Sequence, residues 1–259
     1  MKTPYTCPEE KRVRVVFDMT EADEMALFSL AHCIASPEFV LCGVIAHGKL
    51  ANMAAELASA AGVELRIEPD ADFVLDEAEN ADKRRLYLVC VGSLKNAAAL
   101  LGGDTRVKDS VTVLWTGGGE TPESDLEPNY AACPSAAESV MATGAEVYAV
   151  PMKAYQKVRV SLAQLQLRLT DCGAVGKMLF DMLCRANEQD VDGRFQGEAW
   201  LLQGEAAVSV LLCPEQRTWT MQAPLYGSKT GRPVRVYGDI DNRMVLEDMF
   251  AKMRLCFAE

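Results

Sequence analysis

Continuous apolar runs of strand length alternate with helix-patterned segments along almost the whole chain, and this alternation most restricts the fold. Phe39 to Ala46 (FVLCGVIA), Leu86 to Val91 (LYLVCV) and Val111 to Thr116 (VTVLWT) carry no polar face. Strands that are apolar on both sides belong to parallel sheets buried between layers of helices. Further strands are predicted over 13–17, 63–68, 146–151 and 234–237. Helices are predicted over 23–36, 50–61, 94–101, 134–143, 161–168, 173–187 and 244–257, and 205–213 reads as a buried helix in preference to a strand. Gly62 and Gly144 are placed to stop helices, and Pro134 to start one. Residues 69–85 read as a surface loop with a short helix, and 189–197 as a polar loop. The expected architecture is a mostly parallel open α/β sheet with right-handed crossovers and helices on both faces. No linker or repeat interrupts the 259 residues, so a single domain over 1–259 is expected.

The formal net charge of −11 argues against binding a nucleic-acid backbone or an anionic membrane surface. No apolar run approaches the roughly 20 residues of a membrane span. Met1 to Arg14 lacks the apolar core of a signal peptide. The nine cysteines are scattered, odd in number and without a CxxC pair. They read as buried thiols in a reducing, cytoplasmic setting. His32 and His47 are too few for a histidine-rich metal site.

Chemistry concentrates where the first strand ends. Val15 to Leu27 (VVFDMTEADEMAL) passes from strand to helix and releases four acids, Asp18, Glu21, Asp23 and Glu24, into the turn. Open α/β sheets build their sites at the carboxyl ends of strands. Oxygen ligands of this kind suit a hard cation, Ca²⁺ or Mg²⁺. A bound cation lowers the pKa of its water, and a neighbouring carboxylate takes the proton. The same acids also fit a helix N-cap cluster with no metal.

Glu127 and Asn129 stand two apart after Gly117-Gly118-Gly119, at another strand end. In extended backbone they face the same way, and a carboxylate beside an amide can grip a vicinal diol. A solvated loop with an asparagine turn is the alternative. The glycine run lacks both the P-loop ending and the GxGxxG spacing. Cys90 lies inside an apolar strand, and neither it nor Cys133 has a neighbouring histidine, which argues against a cysteine nucleophile.

Taken in order, these stretches resemble the inosine-uridine-preferring nucleoside hydrolase family. VVFDMTEADEMAL is similar to the family's DxDPGxDDAxAL opening, Gly43 to Lys49 to its GVTxxHGN, and Gly92 to Asn96 to its GPLTN. Thr116-Gly117-Gly118 resembles its MGG turn. Leu126 to Ala137 resembles AEFNxxxDPEAA, Gly204 to Pro214 resembles HDxxAVxxLxxP, and Thr230-Gly231-Arg232 echoes the closing GxxRG. The resemblance implies the nucleoside hydrolase fold and a Ca²⁺-dependent N-ribohydrolase that cleaves an N-glycosidic bond with metal-activated water. It places Asp18, Asp23, Glu24, Glu205 and the Lys95 carbonyl at the metal. It places Asp23, Glu127, Asn129 and Glu205 on the ribose of a nucleoside or ribosyl ligand, and Asp18, Glu21 and Asp23 at the chemistry. Homodimers or homotetramers are expected on the same ground.

The residues depart from the family at informative places. The first loop is one residue shorter. Thr20 stands where the family has its second aspartate, Glu24 replaces an aspartate and Lys49 replaces the asparagine of HGN. Cys133 replaces the aspartate before the proline. Glu205 replaces the late aspartate and has no histidine before it. Glu21 is adjacent to the missing base and longer. The alternative expectation is therefore a catalytically silent homologue, with the Lys49 ammonium in the cation's space, acting as a binding or regulatory protein.

Overall fold

In a computed structural model, every residue is described except 1, 3, 4, 104–105, 120–126, 190–197, 214–217, 225, 227–230 and 259. Ten strands are described: β1 Val13–Asp18, β2 Phe39–Ile45, β3 Ile67–Glu68, β4 Leu86–Cys90, β5 Val111–Thr116, β6 Glu146–Val150, β7 Arg159–Ser161, β8 Ala199–Leu201, β9 Trp219–Gln222 and β10 Val234–Tyr237. The first six helices are α1 Ala26–Ala35, α2 Gly48–Ala61, α3 Phe73–Glu79, α4 Lys95–Gly103, α5 Pro128–Ala132 and α6 Pro134–Ala142. The remaining five are α7 Met152–Tyr155, α8 Leu162–Leu169, α9 Gly173–Gln189, α10 Glu205–Leu212 and α11 Asn242–Phe257.

Eight strands form one sheet in the order β3-β2-β1-β4-β5-β6-β10-β9, and β7 pairs with β8 separately. Every neighbouring pair in the main sheet is parallel except β10 with β9. The chain moves outward from β1 to β3, returns to β4 and moves outward the other way. The order therefore reverses between β1 and β4, and the diverging loops open a crevice there.

Side chains alternate across the sheet as the pleat requires. Val15, Phe17, Tyr87 and Val89 enter one core with residues of α1, α2, α9, α10 and α11. Val16, Leu86, Leu88 and Cys90 enter the other with residues of α3, α4 and α6. Both faces are covered, as the continuous apolar runs required. Gly62 stops α2 in left-handed backbone at φ 67° and returns its N–H to Ser59. No helix among the described residues is long and apolar enough to cross a membrane.

Some boundaries differ from the sequence reading. The third strand shrinks from 63–68 to Ile67–Glu68, which pair only with Val44 and Ile45. The first helix begins at Ala26 rather than 23, because Asp23 Oδ1 accepts from Met25 N (3.0 Å) and closes a turn first. The polar loop expected over 189–197 lies outside the described residues apart from Gln189, which ends α9. Leu126, Pro214 and Thr230, each part of a quoted stretch, also lie outside them.

Candidate functional site

The crevice between β1 and β4 is stitched shut at its base. Val91 N donates to Asp18 O (3.0 Å) and Ser93 N to Thr20 O (3.0 Å), so the first acidic loop lies directly on the turn that opens α4. Gly92 makes this approach possible: a Cβ there would lie 2.0 Å from Thr20 O. Glu21 pays for the shortened loop with backbone at φ 59°, a left-handed conformation glutamate seldom adopts.

Asp18 ends β1 fully buried. Its Oδ1 accepts from Thr20 N (2.8 Å) and Asn96 Nδ2 (3.4 Å), while its Oδ2 has no partner. Burial outweighs those hydrogen bonds and pushes the carboxyl up to about 6. Thr20, in the place of the family's second aspartate, accepts from Asn96 Nδ2 through its hydroxyl (2.7 Å).

Asp23 keeps an exposed surface, yet surrounding protein desolvates its carboxyl to about 6, with a smaller push from the Glu24 charge against the Met25 hydrogen bond. Glu21 and Glu24 are each paired with a lysine. Lys95 Nζ reaches Glu21, and Lys49 Nζ reaches Glu24. Although burial opposes it, hydrogen bonds from Lys95 and Ser93 draw the Glu21 carboxyl below its ordinary range. A lowered carboxylate is a weaker base than Asp18 or Asp23.

Glu127 and Asn129 stand across the crevice beyond β5, and there the backbone is helical from Pro128 instead of extended. Glu127 caps α5. Its carboxylate accepts from Gly118 N (2.6 Å), Tyr130 N (2.8 Å), Asn129 N (3.2 Å) and the Tyr155 hydroxyl (2.6 Å). Asn129 Nδ2 donates to Thr116 O (2.5 Å) and Val91 O (3.2 Å), tying the ends of β5 and β4 together. Both residues hold the rim in place. Tyr155 is the link between the two sides: the Glu127 and Asp23 charges add to its burial in raising its phenol.

Glu205, at the start of α10, is drawn towards α1. Its Oε2 lies 2.7 Å from His32 Nδ1, and His32 Nε2 lies 2.9 Å from Asp248 Oδ2. Asp248 continues to Lys252 (2.7 Å), which reaches Glu38 (3.0 Å). Burial disfavours the imidazolium, but Glu205 and Asp248 together outweigh it, so the His32 pKa is raised. His32, Asp248 and Lys252 were not singled out as site residues from sequence. The signal available was a histidine within the buried run ALFSLAHCIA, where a charge requires a partner.

A calcium ion takes six to eight oxygens. Here Glu24 and Glu21 are each paired with a lysine, and a threonine replaces one expected carboxylate. Glu205 gives Oε2 to His32, which leaves Glu205 Oε1 and Asp18 Oδ2 as the two buried carboxylate oxygens without a partner among the described residues. Among the described residues, no three His, Cys, Asp or Glu side chains gather in a metal-holding group. As these side chains stand, the set does not fit a calcium ion.

No family model matches the sequence, and no curated protein matches it. The structure does match solved ones. A purine-preferring ribonucleoside hydrolase from Gardnerella vaginalis is 18% identical, with 94% of this chain and 99% of that one covered at a TM-score of 0.69. An inosine-guanosine nucleoside hydrolase is 14% identical, covering 93% and 98% at 0.73. The type III effector XopQ, solved with adenosine diphosphate ribose, is 12% identical, covering 97% and 96% at 0.71. The chain has the nucleoside hydrolase-like fold.

Proposed function

We propose that this chain binds a ribosyl ligand, a nucleoside or a nucleoside-diphosphate ribose, in the recess between β1 and β4 without a divalent ion, and that it does not turn that ligand over. The observation that carries this reading is that Glu24, one of the acids the family resemblance assigns to the metal, is paired instead with the solvent-exposed Lys49 ammonium. Asp23 supplies the ligand-facing acceptor, since it keeps exposed surface and one oxygen beyond the Met25 turn. A carboxylate in such a recess accepts from sugar hydroxyls. The adenosine diphosphate ribose on one structural neighbour supports that ligand class.

Calorimetry with inosine and with adenosine diphosphate ribose, in EDTA and in calcium chloride, tests this. Binding that is equal in both buffers, with no reducing sugar released, is the expected result. Calcium-dependent release of ribose would overturn it.

A second reading, N-ribohydrolysis, is favoured by one specific observation: Asp23 combines an exposed surface with a carboxyl pushed up to about 6, which suits a general base near neutral pH. Base release that persists in EDTA and disappears in Asp23→Asn would support it. All nine cysteines are free thiols, which supports a reducing, cytoplasmic setting. Self-association is proposed from the family resemblance and is read by sedimentation.

A further inference from the structure

The amino ends of the strands, opposite the acidic recess, carry the reverse charge. A cleft of about 400 Å³ opens there, among the segments that lead into β4, β5, β6 and β10. Arg14, Lys83, Arg84, Arg85, Lys108 and Arg232 line it, against three carboxylates, Asp82, Asp109 and Glu146. The lining residues carry an excess of three positive charges, and an excess of one remains when Glu77 and Glu9, which pair with Arg14 and Arg84 from outside the lining, are counted, in a chain whose net charge is −11.

The cations divide into two kinds. Three arginines are held in place by carboxylates. Arg14, only 2% exposed, is fixed by Glu77 and by the Asp82 carbonyl; Arg84 is fixed by Asp82, and Arg85 by Glu146 and Thr112 Oγ1 (3.0 Å). Arg85 also lies over the Tyr87 and Tyr148 rings, with its guanidinium carbon 5.4 and 5.5 Å from their centroids. The other three, Lys83, Lys108 and Arg232, have no carboxylate within ion-pair distance among the described residues, and all three keep solvent-accessible surface. Uncompensated like charges facing one cleft repel one another, and a multivalent anion relieves that repulsion most effectively. Guanidinium and ammonium donors match phosphate oxygens in geometry and charge.

We infer that this cleft is a binding site for a compact multivalent phosphate, a di- or triphosphate, held by Lys83, Lys108 and Arg232 over the fixed arginines. It lies at the opposite end of the sheet from the ribosyl recess and stands whether or not that recess binds sugar.

The test is calorimetric titration of the full chain with inorganic tripolyphosphate at low ionic strength, with sulfate as the control anion and adenosine triphosphate as a second probe. Tripolyphosphate is expected to bind at one site, more tightly than sulfate, with affinity falling as salt rises. Lys108→Ala and Arg232→Ala are each expected to weaken it about ten-fold, the value of one hydrogen bond to a charged group. Asp23→Asn is expected to leave it unchanged. Measured in Asp23→Asn so that the ribosyl recess does not contribute, adenosine triphosphate binding that is tighter than tripolyphosphate and weakened by Lys108→Ala would assign the phosphate to a nucleotide, and equal or weaker affinity would assign it to a free polyphosphate. No binding of either probe, affinity no better than sulfate, or affinity unaffected by both alanine variants would overturn the site. The substituted side chains are solvent-accessible, and an unchanged melting temperature confirms that the variants are folded.

Discussion

His32 Nδ1 lies 2.7 Å from Glu205 Oε2, and neither side chain reaches solvent. The pair joins α1 to α10, and through Asp248 and Lys252 it extends into α11. Removing one member of a buried pair strands the other charge at a cost of about 3–5 kcal/mol. His32→Leu alone is expected to lose that much stability in urea unfolding. The double replacement His32→Leu with Glu205→Leu should lose less, because no carboxylate is left stranded. A double variant as unstable as the sum of the singles would refute the coupling.

The same pair predicts how stability changes with pH. The His32 pKa is raised on folding because Glu205 and Asp248 outweigh burial. Its contribution is therefore complete below the unfolded histidine value of about 6.5 and is lost as pH climbs through the higher folded value. Melting temperatures followed from pH 6 upward should fall for the wild type and fall less steeply for His32→Leu.

Asp18 predicts a separate decline at lower pH. Burial lifts its carboxyl to about 6, so the folded chain holds a proton that the unfolded chain releases near pH 4. Stability from this group falls between pH 4 and 6 as pH rises, and stays reduced above that range. Asp18→Asn should flatten that part of the profile, and an unchanged slope would show that the group ionises freely in the fold.

Lys49→Asn restores an amide where the family pattern has one and removes the ammonium from Glu24. If the lysine excludes the cation, this variant should gain calcium affinity by at least about ten-fold, the order expected from removing one like charge a few ångströms away. Calorimetry with calcium chloride reads it. A variant as indifferent to calcium as the wild type would place the obstacle elsewhere, in Thr20 or in the Glu205–His32 pair.

Gly92→Ala tests the seam under the recess. Its Cβ would fall 2.0 Å from Thr20 O and 2.7 Å from Ala22 N, both backbone atoms that cannot swing aside. Overpacking of this kind costs about 1–3 kcal/mol. Gly102→Ala, with nothing within 4 Å, is the matched control and should be close to neutral or stabilising. Equal melting temperatures for the two would argue against the close approach.

The long central strands were readable because burial on both faces leaves an uninterrupted apolar run, as in Leu86–Cys90 and Val111–Thr116. The edge was not. Trp219–Gln222 is a four-residue antiparallel strand with an exposed middle, so neither its length nor its pattern distinguishes it from loop. Arg159–Ser161 pairs with Ala199–Leu201 over three residues, too few for any periodicity. At the site, the nearness of the first acidic loop to the turn at Lys95 was expected from the motif order of the family resemblance, whereas the contact of Asn96 with Asp18 was not. Nor were the partners of the other acids. Glu205 meets His32 across 173 residues and His32 meets Asp248 across 216, and no local pattern carries such a distance. Glu127 was legible as a polar residue after a glycine turn, but its four donors come from three separate segments, which only tertiary structure brings together.

The backbone bonds from Val91 to Asp18 and from Ser93 to Thr20 also have a kinetic meaning. A loop already fastened to its neighbour has little freedom left to surrender when a guest arrives, so the entropic toll of ordering is met during folding. Association should then proceed in one exponential phase whose rate scales with guest concentration, with no slow rearrangement behind it.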